Sequence, residues 1–496
     1  MSTSEIKMVL PGISSEHAEN ISLQKVELEE PPSIPSSEDE KRLLHKLDFT
    51  ILPWIMLMYF LSYMDRSNTG NAKNIGLAKD LHLTSGGYAL ASSTFYLATF
   101  LFGTIGGLML KVVKPSTWLA ICMVGWGAMS ALQAACSNGA SLAAVRFFLG
   151  LFEASFAPGC ALYLSFWYLK SELSFRIACY AGTSALSGVF GGLIAYGLGK
   201  HKDSLLIPAW KTLFIVEGLP TAALGIVTYF YLPDRPETGK NRWFTVEEHQ
   251  ILLSRRTRLV KNKDNGIDLQ QVAGAFKDYR LYLFCIIYAG LSLSLAVLSI
   301  FLPTIIGDLG YHAIAANLMT APVYGTAYVC LLIVAYFSDR FQQRGIAIAL
   351  GGFLSGIGYI LLGLIPGNNL KARFAMTFLA ATGTYIAFPI VLAWIASTFA
   401  ADTKSGVGIG IVIAVTHAVG VAASNIYPAN EAPQYVSGNM VTGGLGLTAG
   451  VGAILMSVLL HLENRKKDRK YGRPEKGKAI AMTGEADKHR DFRYVL

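Results

Sequence analysis

Between Asp48 and His461 the chain is a succession of apolar runs, many of them 20 residues or longer, divided by short polar breaks. About 20 apolar residues is the length at which a helix crosses the roughly 30 Å hydrocarbon core of a bilayer. No soluble core needs such runs one after another. With 52% hydrophobic residues, 15% charged residues and a mean hydropathy of +0.42, the chain reads as an all-α, polytopic membrane protein. The pattern predicts twelve spans, near 48–66, 84–110, 116–135, 140–167, 175–199, 209–232, 280–304, 315–337, 344–365, 372–396, 404–427 and 440–461.

A polar, basic stretch separates six spans from six, which gives two halves of nearly equal length, 47–232 and 280–461, around a central loop, 233–279. That layout belongs to duplicated transporters built as two six-helix bundles. Residues 1–46, rich in Ser, Glu and Pro, read as a disordered tail, and 462–496 as a basic tail. No basic segment followed by a short apolar run opens the chain, so the first span is expected to act as its own insertion signal. Lys and Arg crowd the side that holds both tails, the central loop and alternate short loops, which predicts cytoplasmic termini. The net charge of +9 follows this pattern and gives no reason to invoke nucleic acid. All six cysteines lie inside apolar runs and none has metal-ligand spacing, so no metal and no cofactor is expected. Gly188 to Gly192 in the fifth span and Gly406 to Gly410 in the eleventh offer small faces for close helix approach.

Charges inside the spans are the functional signal, because each is costly in lipid and normally faces a partner or a substrate path. Arg146 and Glu153 sit seven apart in the fourth span, so they share one helix face at two depths, about 10 Å apart along the axis. Arg146 is the candidate anion hook, since a guanidinium offers a two-pronged fork to a carboxylate. Its structural alternative is a pair with Asp65 or Glu153. Glu153 is the candidate proton carrier, with Asp65 and His417 as further proton-coupling candidates. Tyr96, Tyr324, Tyr328, Tyr385, Trp394 and Asn425 are candidate substrate contacts, though aromatics in membranes also serve as packing and interface anchors. Arg66, Glu217, Asp339, Arg340 and Arg344 are read as structural or gating groups.

Several motifs in order carry a family resemblance: Tyr63-Met-Asp-Arg-Ser-Asn-Thr-Gly-Asn-Ala72, Arg146 to Gly159, Trp210 to Gly218, Leu232-Pro-Asp-Arg-Pro-Glu237 and Trp243-Phe-Thr-Val-Glu-Glu248. On these the chain resembles the major facilitator superfamily, within it the fungal anion:cation symporter branch of allantoate, nicotinate, pantothenate and biotin permeases. The superfamily's loop 2-3 signature is degraded to Gly107-Leu-Met-Leu-Lys-Val-Val-Lys-Pro115, with no Asp, whereas its repeat persists as Ser338-Asp-Arg-Phe-Gln-Gln-Arg344. In such transporters that signature latches helix ends in one access state, so a symmetric latch is in doubt.

The resemblance implies a major facilitator fold working as a monomer in the plasma membrane, with the endoplasmic reticulum or vacuole as alternatives. It further implies import of a small organic anion with protons, the proton gradient being the energy source. A carboxylated vitamin or nitrogen source is the expected cargo, nicotinate the favourite. A nutrient receptor, a uniporter and an exporter are the alternatives. No Ser-His-Asp grouping, HExxH or Walker loop appears, so an enzyme is not expected.

Overall fold

The computed structural model describes residues 37–236, 243–259, 269–310, 313–399, 402–423, 425–473, 489 and 492–496. The expectations for 1–36 and 474–488 lie outside these residues. Among the described residues the protein is helical throughout, without strands. Eleven helices among these residues are long and apolar enough to cross a membrane. Together with Ser85–Val112, a 28-residue helix between the first and second of them, they supply the twelve expected spans.

Local chemistry sets several helix starts. Thr84 accepts from the Gly87 N–H at 3.1 Å before the second span. Asn138 and Ser141 form a reciprocal capping box before the fourth, and Asn369 accepts from Ala372 N–H before the tenth. The fourth span is not one continuous helix. It runs Gly139–Glu153 and then Phe156–Trp167, because Pro158 has no N–H for the Ala154 carbonyl.

The same pairing recurs in both halves: third span on sixth, ninth on twelfth. Lipid offers little hydrophobic drive for helix association, so close approach of small residues supplies the packing. A Cβ on Gly127 would lie 2.9 Å from the Gly218 carbonyl oxygen, and one on Gly352 would lie 2.6 Å from the Gly450 nitrogen. Between the halves the fifth span packs on the eighth and the second on the eleventh. Gly188 and Gly192 belong to this interface, against the Tyr324 ring and Asn317. The eleventh span behaves differently from its expected counterpart. Gly406 and Gly410 have open space around them, and Gly420, under the Tyr96 ring, is the close-approach position instead.

At the face where the described residues begin and end, polar segments add helices. The tail reading to residue 46 gives way at its end to a helix, Ser37–Thr50, and the central loop holds Val246–Leu259 and Leu269–Phe276. Thr245 and Glu248 cap the first of these loop helices, through bonds of 2.9 and 3.3 Å. The ion pair Lys46–Glu248 (2.7 Å) joins the first two of these helices, and Arg255–Glu172 (2.5 Å) and Arg176–Asp48 (2.6 Å) tie them to the fifth span. The last helix, Val436–Tyr471, overruns its expected end, and residues 492–496 return to its base. There Asn464 clasps the Tyr494 backbone from both sides, at 2.8 and 2.9 Å.

Candidate substrate site between the bundles

Residues 65 and 66 are adjacent on the first span, so their side chains diverge by about 100° and serve two surroundings. Asp65, fully buried, faces the interior of the first bundle, where Ser130 donates to its Oδ1 at 2.5 Å. Glu217 and Asn68 lie beside it, and neither Glu217 oxygen has a hydrogen-bond partner. Arg66 turns instead toward the second bundle. Its guanidinium lies over the rings of Tyr63 (4.4 Å) and Phe95 (5.1 Å), within electrostatic reach of His417 in the eleventh span and Tyr288 in the seventh.

Glu153 meets Arg66 there. Its Oε1 accepts from Arg66 and from Ser62, the latter at 2.7 Å, while Oε2 is buried without a partner. A carboxylate so placed is tolerable in a dry interior only while its cation stays. Arg146 keeps to the depth nearer the opposite face, donating to Thr69 and, at 3.4 Å, to Gln133, and lying 5.4 Å from the Phe95 ring centre. Thr69 and Ser62 are themselves seven apart. The face shared by Arg146 and Glu153 therefore runs down the first span, with each charge held at its own level. The sequence alternatives paired Arg146 with Asp65 or Glu153; in the structure Arg66 is the cation on Glu153, and Arg146 is held by neutral groups.

Of the other candidates, Tyr96 and His417 join this centre. The Tyr96 ring covers Gly420, one turn beyond His417, and His417 is 4% exposed with an unpartnered Nδ1. Tyr324 and Tyr385 pack edge to face at 5.8 Å on the second bundle, and the Tyr324 hydroxyl donates to the Leu298 carbonyl at 2.9 Å. Tyr328 lies near Gly182, only partly buried. Asn425 is exposed at the seam of second and eleventh spans, donating to Ser93 at 3.4 Å. Trp394 stands away from the centre, at the terminal face, where its indole donates to the Val495 carbonyl at 2.8 Å.

Asp339 pairs with Arg344 at 3.5 Å, and Arg344 also donates to the Ala393 carbonyl and the Ser397 hydroxyl. Arg340 donates to the Tyr336 hydroxyl at 3.2 Å on the exposed surface. The equivalent corner of the first bundle lacks its signature Asp, and Asp234 from the end of the sixth span stands in: its Oδ1 accepts from both the backbone N–H (3.1 Å) and hydroxyl (2.6 Å) of Ser116. Arg235 beside it donates to the Leu110 carbonyl at 2.5 Å. That substitution was legible only in retrospect, as an Asp-Arg pair displaced to another loop.

Sequence reasoning also missed an asparagine clasp at the face opposite the termini. Asn74 donates to the Pro303 carbonyl (3.2 Å) and to Asn317 (3.0 Å), while Asn317 donates to the Asn71 carbonyl (3.3 Å). These bonds join the bundles. The one available signal was polar asparagines late in the first span and early in the eighth.

A family profile described as Major Facilitator Superfamily matches residues 55–424, most of both bundles. The chain belongs to the major facilitator superfamily. Relatives agree: it is 35% identical over 446 residues to "MFS transporter prlL" of Fungal sp. (strain NRRL 50135), covering 88% of this chain and 90% of that one. It is 31% identical over 470 residues to the "High-affinity nicotinic acid transporter" of Saccharomyces cerevisiae, covering 93% and 86%. Among solved structures, a D-xylose-proton symporter aligns with a TM-score of 0.63 at 14% identity, over 82% of this chain and 97% of that one, which shows the shared fold. The protein is thus a multi-pass membrane transporter of the superfamily, not an enzyme.

Proposed function

We propose that this transporter carries a small organic anion together with a proton, by alternating access about the Arg66–Glu153 centre. The single observation behind the reading is that this ion pair lies where the two bundles meet, beside aromatic rings and a His417 whose Nδ1 has no partner. A substrate carboxylate that takes the Arg66 fork releases Glu153. A buried Glu153 left without its cation is tolerable only as the neutral acid, so anion binding and proton uptake become one event. In this reading Arg66 takes the hook role expected of Arg146, and Arg146 holds the first and fourth spans in register.

The relative named as a nicotinic acid transporter supports a carboxylated vitamin or nitrogen source as cargo, with nicotinate first. Import across the plasma membrane with both termini cytoplasmic, and action as a monomer, belong to the same proposal. It is tested by uptake of labelled nicotinate, pantothenate, biotin and allantoate into cells lacking their own permeases, at pH 5 and pH 7.5. One acid should accumulate faster at pH 5. Accumulation of none, with the protein correctly inserted, overturns the cargo class.

A further inference from the structure

We propose that His417 reads the far edge of the cargo, so that the preferred substrate is a planar aromatic monocarboxylate with a hydrogen-bonding ring nitrogen away from its carboxylate. This inference rests on Arg66 being the anion hook. His417 is nearly wholly buried and its Nδ1 has no partner. A buried polar atom left unmet is costly, and such an atom across the bundle seam from the guanidinium marks a place where a ligand group completes the bond. In its neutral form an imidazole brings one N–H donor and one bare nitrogen, enough to serve a pyridine-type nitrogen.

The rings around the two groups offer flat faces. On the first bundle's side are Tyr63 and Phe95, which also flank Arg66, and Tyr96, edge to face with Phe95 at 5.2 Å. On the second bundle's side Tyr288 stacks on Phe388, with centres 4.8 Å apart and planes 19° apart. Such faces take a planar π-system and give an aliphatic acid fewer contacts. Gly420 keeps the seam narrow: a Cβ there would come within 2.6 Å of the Tyr96 ring, so Tyr96 and His417 close on the same space.

The test compares pyridine-3-carboxylate with benzoate, which share shape and charge and differ in the ring nitrogen. Uptake of each into proteoliposomes is measured, with protein-free vesicles as background, for wild type, His417→Leu and His417→Gln. Wild type should favour the pyridine acid by about tenfold or more in kcat/KM, since a site built around a hydrogen bond rejects the analogue that lacks it. His417→Leu should erase that preference through the KM for the pyridine acid, and His417→Gln, whose amide still donates, should restore part of it. A preference unchanged in His417→Leu overturns the inference, as does a shifted pH profile at constant preference, which would make His417 a proton relay. If wild type carries both acids alike and Arg66→Ala stops both, this inference fails while the anion-hook reading stands. Should wild type carry neither, this inference fails, and the anion-hook reading is then decided by uptake of pantothenate, biotin and allantoate.

Discussion

Removing Arg66 strands a charge. In Arg66→Ala the Glu153 carboxylate, 3% exposed, keeps only the Ser62 hydroxyl. Breaking a buried pair from one side costs about 3–5 kcal/mol, because the group left behind is an uncompensated ion or must take up a proton to stay buried. Glu153→Gln is the milder change. It leaves the guanidinium over the faces of Tyr63 and Phe95, contacts worth roughly 0.5–2 kcal/mol each, so a loss of about 1–2 kcal/mol is expected. The double variant Arg66→Ala/Glu153→Gln has no stranded charge and should lose less than Arg66→Ala alone. The cycle therefore carries a coupling energy of about 2 kcal/mol or more. Thermal midpoints of the detergent-purified protein, read by size-exclusion after heating, give the four values in order. Losses that simply add would show that the two charges do not compensate each other, and the coupling argument built on them would be refuted.

The other expectations concern the parts that move or hold the bundles. Asn317→Ala removes up to two inter-bundle hydrogen bonds, together about 2 kcal/mol, so a cysteine at Tyr96 should react roughly tenfold faster with an impermeant maleimide from the face opposite the termini; an unchanged rate would show that the clasp does not hold that face shut. Gly188→Val places a side chain 2.5 Å from the Tyr324 ring and should cost about 1–3 kcal/mol and most transport, whereas Gly406→Val, in open space, should change neither. Asp234→Ala leaves the Ser116 N–H and hydroxyl without their acceptor and should lower the thermal midpoint by a few degrees, measured beside Arg340→Ala, an exposed change expected to be neutral. Deleting residues 492–496 uncovers Trp394, so its fluorescence should shift to the red; an unshifted spectrum would mean that the segment does not cover the indole in solution.

The span count and the two halves were legible because lipid enforces helix length and apolarity residue by residue. The twelve runs and the central break correspond to helices found in the structure. Pairings were less legible, since sequence spacing gives faces and not neighbours. Arg146 and Glu153 do share a face, but its partner is the first span, whose Ser62 and Thr69 repeat the same seven-residue interval. Nothing in the spacing told Arg66 from Asp65 as the group turned toward the second bundle. Gly188 and Gly406 looked equivalent, yet only the first meets another helix, because close approach depends on the neighbour's side chain. The short helices around residues 37–50 and 246–259 escaped notice for a related reason: capping and ion pairs with the fifth span stabilise them, and their polar composition reads as loop.

The central claim is that Glu153 carries the coupled proton, and it is tested most directly in proteoliposomes holding the transported acid. Wild type should both exchange labelled for unlabelled substrate and accumulate it against a gradient when the outside is acidic. Glu153→Gln, fixed in the neutral form, should exchange at a comparable rate while losing pH-driven accumulation. Retained accumulation in Glu153→Gln would contradict the account and move proton coupling to another group.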